Sequence, residues 1–166
     1  VKKVHPSSVD LMRNFIEERL DKSAQLRIAD VGSFDVNGCY RPLFKSESWE
    51  YVGFDKEPGR NVDHLWPYSE DHVGQFDVVI SGQTMEHVDK PWIWIHDVAA
   101  LAKQGGLIFI IVPNSFHYHG EGHYRDYWRV WPEGLEVIFK EADLEVQYCR
   151  RVGMDTFGLA IKVQYD

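Results

Sequence analysis

Cysteine is scarce in this chain, and clustered positive charge is missing altogether. The two cysteines among 166 residues, Cys39 and Cys149, have no metal spacing. No disulfide can be deduced from them, and reduced thiols in a cytoplasmic protein are the expectation. Lysine and arginine number 18 against 26 Asp and Glu, giving a formal charge of −8 with no basic run. Nonspecific binding to nucleic acid or to an anionic membrane draws on clustered Lys and Arg, so neither is expected as a partner. No apolar run approaches a membrane span, and the N-terminus shows no signal-peptide h-region. Two phosphate-binding signatures are also lacking. The stretch that would carry G-x-G-x-x-G has Phe34 at the second glycine, and no Gly-Lys-Ser/Thr ending occurs.

What the chain does have is 44% hydrophobic and 14% aromatic residues, enough for one domain spanning 1–166 around a single core. Its organising stretch is RIADVGSFDVNG, Arg27 to Gly38. Ile28, Ala29 and Val31 read as a buried parallel strand that breaks at Gly32, and a polar loop leads to Gly38. In an open α/β sheet, ligands bind outside the carboxyl ends of such strands. Asp30, Ser33, Asp35 and Asn37 would repel a phosphate but suit an ammonium, a sulfonium or hydroxyls. The expected ligand is a nucleoside without phosphates, and NAD is disfavoured by Phe34.

In chain order, Ser7 and Asp10 start an amphipathic helix carrying Met12, Phe15, Ile16 and Leu20. A short crossover, Cys39 to Ser48, leads to a strand, Glu50 to Asp55. Asp55 falls where a doubly wound fold places the carboxylate for a ribose diol, although a strand-end acid also reads as a solvated turn residue. Asn61 to Leu65 is a weak short strand, and Phe76 to Gly82 a strong one. Pro91 opens a helix with Trp92, Ile95, Val98, Ala99 and Ala102 on one face, ended by Gly105-Gly106. Leu107 to Val112 is an unbroken apolar run, as in a central parallel strand. Ser115 to Trp131 has no period but holds three histidines and six aromatics. A helix opened by Pro132 follows, then Leu144 to Val152 and Phe157 to Tyr165. The short link between the last two predicts an antiparallel hairpin. The fold class is α/β: an open, mostly parallel sheet with helices between its strands and one antiparallel strand, from the C-terminal hairpin, at or near its edge.

Taken together, DVGSFDVNG, YVGFD, FDVVISGQTMEHVDKP and LAKQGGLIFIIVPN resemble, in motif order, a class I S-adenosylmethionine-dependent methyltransferase, closest to the small-molecule type called type 11. The resemblance covers Ile28 to Asn114 and implies a Rossmann-like three-layer sandwich with a mostly parallel seven-stranded sheet whose last strand, in the C-terminal hairpin, is antiparallel, and S-adenosylmethionine as cofactor. By that resemblance Asp30, Gly32 and the loop through Ser33, Phe34 and Asp35 to Gly38 hold the methionine end. Asp55 binds the ribose hydroxyls, with Lys56 beside the adenine. Asp63, His64 and Leu65 border the adenine, and Ser81, Gly82 and Gln83 line the floor after the fourth strand. The departure is the missing second glycine. A methyltransferase-like module that binds a nucleoside or a protein without catalysis is the alternative it raises.

Methyl transfer from a sulfonium is an in-line displacement, so the protein mainly positions the two reactants. A hydroxyl acceptor needs a base as well. His117 and His119, just beyond the fifth strand, are the catalytic candidates; the other reading has these histidines hydrogen-bonding within an aromatic lid. His123, Tyr127, Trp128 and Arg129 are the substrate-side candidates, with Asp126 as the partner a buried Arg129 requires. His117-x-His119 with His123 offers plausible metal-ligand types, and Glu86-His87 resembles part of the metal-binding E-x-x-E-H of some ubiquinone-pathway methyltransferases, but Gln83 stands at the first Glu, so no metal is expected and His87 reads as a structural residue. The acceptor is expected to be a small molecule or a sugar, methylated on oxygen or nitrogen. Its site is either open or completed by a second copy of the chain in a homo-oligomer.

Overall fold

The strongest apolar stretches of the sequence lie side by side at the centre of one seven-stranded sheet. The structure is a computed structural model and describes residues 6–122 and 124–163. Its strands are β1 (Leu26–Val31), β2 (Trp49–Asp55), β3 (His64–Leu65), β4 (Phe76–Gly82), β5 (Ala102–Pro113), β6 (Leu144–Val152) and β7 (Asp155–Lys162). The order is β3-β2-β1-β4-β5-β7-β6. β1 to β5 pair in parallel, and β7 enters antiparallel between β5 and β6.

The helices are α1 (Pro6–Arg19), α2 (Pro91–Leu101) and α3 (Pro132–Glu141). Proline opens α2 and α3, where its missing N–H and fixed φ cost nothing. Side chains alternate along the central strands, so each face carries its own core. Ile28, Val78, Ile80, Phe109 and Leu159 meet Met12, Phe15 and Ile16 of α1. Ala29, Val79, Ile108 and Ile110 meet Ile95 and Val98 of α2 and Leu135 and Phe139 of α3. The result is the three-layer sandwich expected from the sequence.

Several boundaries differ from the sequence reading. Gly105-Gly106 does not end α2. The helix stops at Leu101, Ala102 already pairs with Phe76, and the ladder shifts register before resuming at Leu107 opposite Val78. The two glycines therefore belong to an irregular stretch of β5, with Gly105 at φ +76°. Trp92 is 43% exposed rather than on the inner face of α2; Trp94 is buried in its place, and Trp92 packs edge-on against Trp128. Of the short strand expected over Asn61 to Leu65, only His64 and Leu65 pair. β7 begins at Asp155, and the expected end of that strand at Tyr165 lies outside the described residues. Cys39 and Cys149 are free thiols. No helix among the described residues is long and apolar enough to cross a membrane.

Candidate active site

Strand order reverses between β1 and β4, and there the connections leave the sheet in opposite directions and open a crevice. A cleft of about 920 Å³ occupies it, walled by the ends of β1, β2 and β4 and by the segment after β5. Asp30, Gly32, Ser33, Phe34 and Gly38 line its first wall, Asp55 and Lys56 the second, and Gly82 and Gln83 the floor.

The turn after β1 explains why glycine is needed at position 32. Its φ is +85°, and a Cβ there would stand 2.0 Å from Thr84 Oγ1. Phe34 occupies the missing glycine's place without closing the cleft. Its ring rests against Gly59, where an added Cβ would lie 2.0 Å from Phe34 Cε2. Its backbone N–H donates to Asp55 Oδ2 at 3.0 Å, while the Glu57 N–H donates to Oδ1 at 3.2 Å. The loop thus orients the carboxylate at the end of β2. Gln83 holds the left-handed conformation, φ +56°, with its amide donating to Asp155 Oδ1 at 2.8 Å. Such strain in a cleft floor is maintained only where surrounding bonds over-determine it.

Asp30 is the most perturbed acid of this wall. It is 2% exposed, its Oδ2 accepts the Tyr51 hydroxyl, and Oδ1 has no hydrogen-bond partner among the described residues. Burial pushes its carboxyl up to about 7; the Tyr51 hydroxyl opposes this, and the Asp55 charge adds to it.

The remaining cofactor-side residues predicted from sequence stand behind or beside the wall. Asp35 accepts the Gly38 N–H at 2.8 Å and lies 3.7 Å from Arg60. Asp63 accepts the Gly53 N–H at 2.7 Å and pairs with Arg41. His64 stacks on Phe54, and Leu65 is 53% exposed. Ser81 is buried and donates to the Val31 carbonyl at 2.7 Å.

The opposite wall comes from the aperiodic segment after β5. His117, His119 and Tyr127 line the cleft, whereas Trp128 and Arg129 support it from behind. His123 lies outside the described residues. Trp128 Nε1 donates to the Val88 carbonyl at 2.8 Å. Arg129 donates to both carboxylate oxygens of Asp126, at 2.6 and 2.7 Å, and to the carbonyls of Phe116 and His117. The partner expected for Arg129 is therefore the one it has. Burial pushes the Asp126 carboxyl up, but the Arg129 guanidinium and the His119 N–H outweigh it and bring it down to about 2. His119 is raised, first by the Glu86 carboxylate beside it, against the effect of burial.

Sequence reasoning missed Tyr40, Trp66 and Thr84, all on the cleft wall, which Tyr124 also lines. Tyr124 had a signal in its aromatic neighbourhood, but its place over Lys56, with the ammonium 5.3 Å from its ring centroid, joins segments almost seventy positions apart and is legible only in the fold.

With this geometry in hand, comparison with known proteins is direct. The family described as a methyltransferase domain matches residues 36–148. A ubiquinone biosynthesis O-methyltransferase of Azoarcus sp. is 28% identical over 114 residues, covering 63% of this chain and 48% of that protein. That of Erwinia tasmaniensis is 37% identical over 62 residues, covering 35% and 26%. The chain thus spans about half the length of the first relative and less of the second. Among solved structures, the 1,6-didemethyltoxoflavin-N1-methyltransferase of Burkholderia thailandensis, crystallised with 1,6-didemethyltoxoflavin and S-adenosylhomocysteine, superposes with a TM-score of 0.71. It is 14% identical, over 96% of this chain and 78% of that one. An S-adenosylmethionine-dependent methyltransferase from Aquifex aeolicus gives 0.65 at 17% identity, over 97% and 100%. Sheet order and the cleft at its switch point define the class I methyltransferase fold. The chain belongs to the methyltransferase-domain family.

Proposed function

We propose that this chain transfers the methyl group of S-adenosylmethionine to a hydroxyl of a small molecule. The observation that carries the reading is the buried carboxylate of Asp30 on the cleft wall with one oxygen unpartnered, an acceptor suited to a cationic or hydrogen-bond-donating ligand end. Asp55, already oriented by two backbone N–H groups, suits a ribose diol, and Lys56 and Tyr124 close the adenine side. The relatives' names favour oxygen as the acceptor atom.

S-adenosylmethionine supplies an electrophilic methyl on a sulfonium, needing no activation by the protein. The chain's own work is to hold the acceptor in line and to accept its proton as the oxygen–carbon bond forms and sulfur keeps the carbon–sulfur pair. His117 is the residue for that proton. It is exposed at the mouth of the cleft, its ring resting on Phe116 at 4.1 Å between centroids. His119 is held between two carboxylates and shapes the acceptor side.

Calorimetric titration is expected to give heat with S-adenosylmethionine and none with NAD; no heat with S-adenosylmethionine at millimolar concentration removes the reading. His117→Ala should lower turnover of a hydroxylated acceptor about a hundredfold while cofactor affinity stays unchanged. Unchanged turnover retires the base assignment.

A further inference from the structure

Behind the cofactor side of the cleft, one guanidinium gathers segments that the cleft itself keeps apart. Arg41 stands in the crossover after β1 and does not line the cleft. Its Nε donates to Asn61 Oδ1 and its Nη2 to Asp63 Oδ2. Longer bonds run from Nη1 to the Tyr51 carbonyl at 3.4 Å and from Nη2 to the Asn61 carbonyl at 3.5 Å. The guanidinium carbon also lies 4.6 Å from the centroid of the Tyr51 ring. One planar fork thus fixes Asn61, Asp63 and Tyr51 relative to one another, which a flexible ammonium does less well.

Two relays lead from there into the cleft wall. The first runs through Asn61, which holds the left-handed conformation, φ +69°. Its side-chain amide donates to the Ser33 carbonyl at 2.8 Å, and the Ser33 hydroxyl donates back to the Asn61 carbonyl at 2.9 Å. Both crowd Gly53 of β2, where an added Cβ would stand 2.0 Å from the Asn61 oxygen and 2.6 Å from Ser33 Oγ. The second relay runs through Tyr51. The guanidinium rests over its ring, and its hydroxyl donates to Asp30 Oδ2. Stacking on an aromatic face orients the ring and brings a positive charge to within one side chain of the Asp30 carboxylate.

We propose that Arg41 is a positioning residue for the cofactor, holding the Ser33 turn through Asn61 and the Asp30 carboxylate through Tyr51. The inference rests on the reading of Asp30 as the partner of the cationic end of S-adenosylmethionine. In a glycine-rich loop the backbone itself supplies the close approach. Here Phe34 fills the second glycine's place, and the loop is held from behind by Asn61 and Arg41.

Charge acts alongside shape. The charged and titratable groups facing Asp30 are Tyr51 and Asp55 of β2, with Cys39, Tyr40 and Arg41 of the crossover. Of these only Arg41 is a cation, and it favours the ionised carboxylate against burial and the Asp55 charge.

The test compares Arg41→Lys and Arg41→Gln with the parent protein. Lysine keeps the charge and loses the fork, whereas glutamine loses the charge. In ligand-free protein the Asp30 carboxyl is followed by carbon-13 NMR. Its midpoint, about 7 in the parent, should rise by about 0.5 in Arg41→Gln and move less in Arg41→Lys. Calorimetry at pH 8.5 should show S-adenosylmethionine bound about tenfold more weakly by both variants, as expected for losing an orienting hydrogen bond. At pH 6.5 Arg41→Gln should lose up to about threefold more, because less of its Asp30 is ionised. The cofactor's own titration is common to all three proteins and cancels in the comparison. Urea unfolding reports each variant's stability separately, and a merely structural loss would leave the Asp30 midpoint where it is. An unmoved midpoint in Arg41→Gln, or parent-like S-adenosylmethionine affinity in both variants, overturns the proposal. No binding of S-adenosylmethionine by the parent removes the cofactor reading instead, and the Asp30 midpoint still decides whether Arg41 acts on that carboxylate.

Discussion

Asp30 shows what a buried carboxylate does to its surroundings before any ligand is considered. In the unfolded chain it ionises near the ordinary carboxylate value of about 4, whereas in the fold it keeps its proton up to about 7. The native state therefore binds more protons than the unfolded state between those values, so this residue's contribution to stability is full below about pH 4 and is lost as pH rises through 7. Above that, the ionised group costs the fold a few kcal/mol. Asp30→Asn removes the titration. Melting curves should show the variant gaining stability over the parent at pH 8, with the gain shrinking or vanishing at pH 5. Equal effects at the two pH values would refute the assignment.

The described residues between β5 and α3 have no regular secondary structure, yet they form one wall of the cleft. It is held by Arg129, whose guanidinium joins Asp126 to the backbone carbonyls of Phe116 and His117 and so ties both ends of the segment together. Asp126's side chain is only 1% exposed, and removing its partner strands a buried charge. Arg129→Ala should thus cost about 3–5 kcal/mol. Arg129→Lys keeps the charge but not the planar fork. It is expected to lower kcat/KM for the acceptor about tenfold, since small misplacements of a positioned group are costly, with S-adenosylmethionine affinity unchanged and faster hydrogen exchange at residues 116–119. The Arg129–Asp126 pair was legible in the sequence because the two are three residues apart. The carbonyl bonds were not, because nothing in a one-dimensional pattern says which loop atoms a guanidinium will reach.

At the level of the whole molecule, one face of the sheet is covered by α1 together with Tyr40 and Phe44 of the crossover after β1. Phe15 stacks on Phe109 at 4.3 Å between centroids with the rings 4° from parallel, and both residues are at most 1% exposed. Phe109 also meets Phe157 of β7 at 6.2 Å, so a single ring ties the helix to the parallel strand and to the antiparallel one beside it. Phe109→Ala is expected to cost about 3–5 kcal/mol in urea unfolding, with Phe15→Ala similar and the double variant less than additive because the two share one contact. Strict additivity would mean the stacked pair is not a coupled unit.

Hydrophobic periodicity alone determined the α/β class, the parallel centre and the closing hairpin, because strand and helix periods and the length of the last link are local properties of the chain. It also marked Gly32, Asp55 and Gly82, since a strand end declares itself where an apolar run breaks. Tertiary structure decided what those positions face. It laid the Phe34 ring on Gly59, turned Gln83 toward Asp155, drew Asp63 and Ser81 into bonds behind the wall, and brought Glu86, His87 and His119 together. Each of these depends on contacts between segments far apart in sequence, which only packing brings within reach.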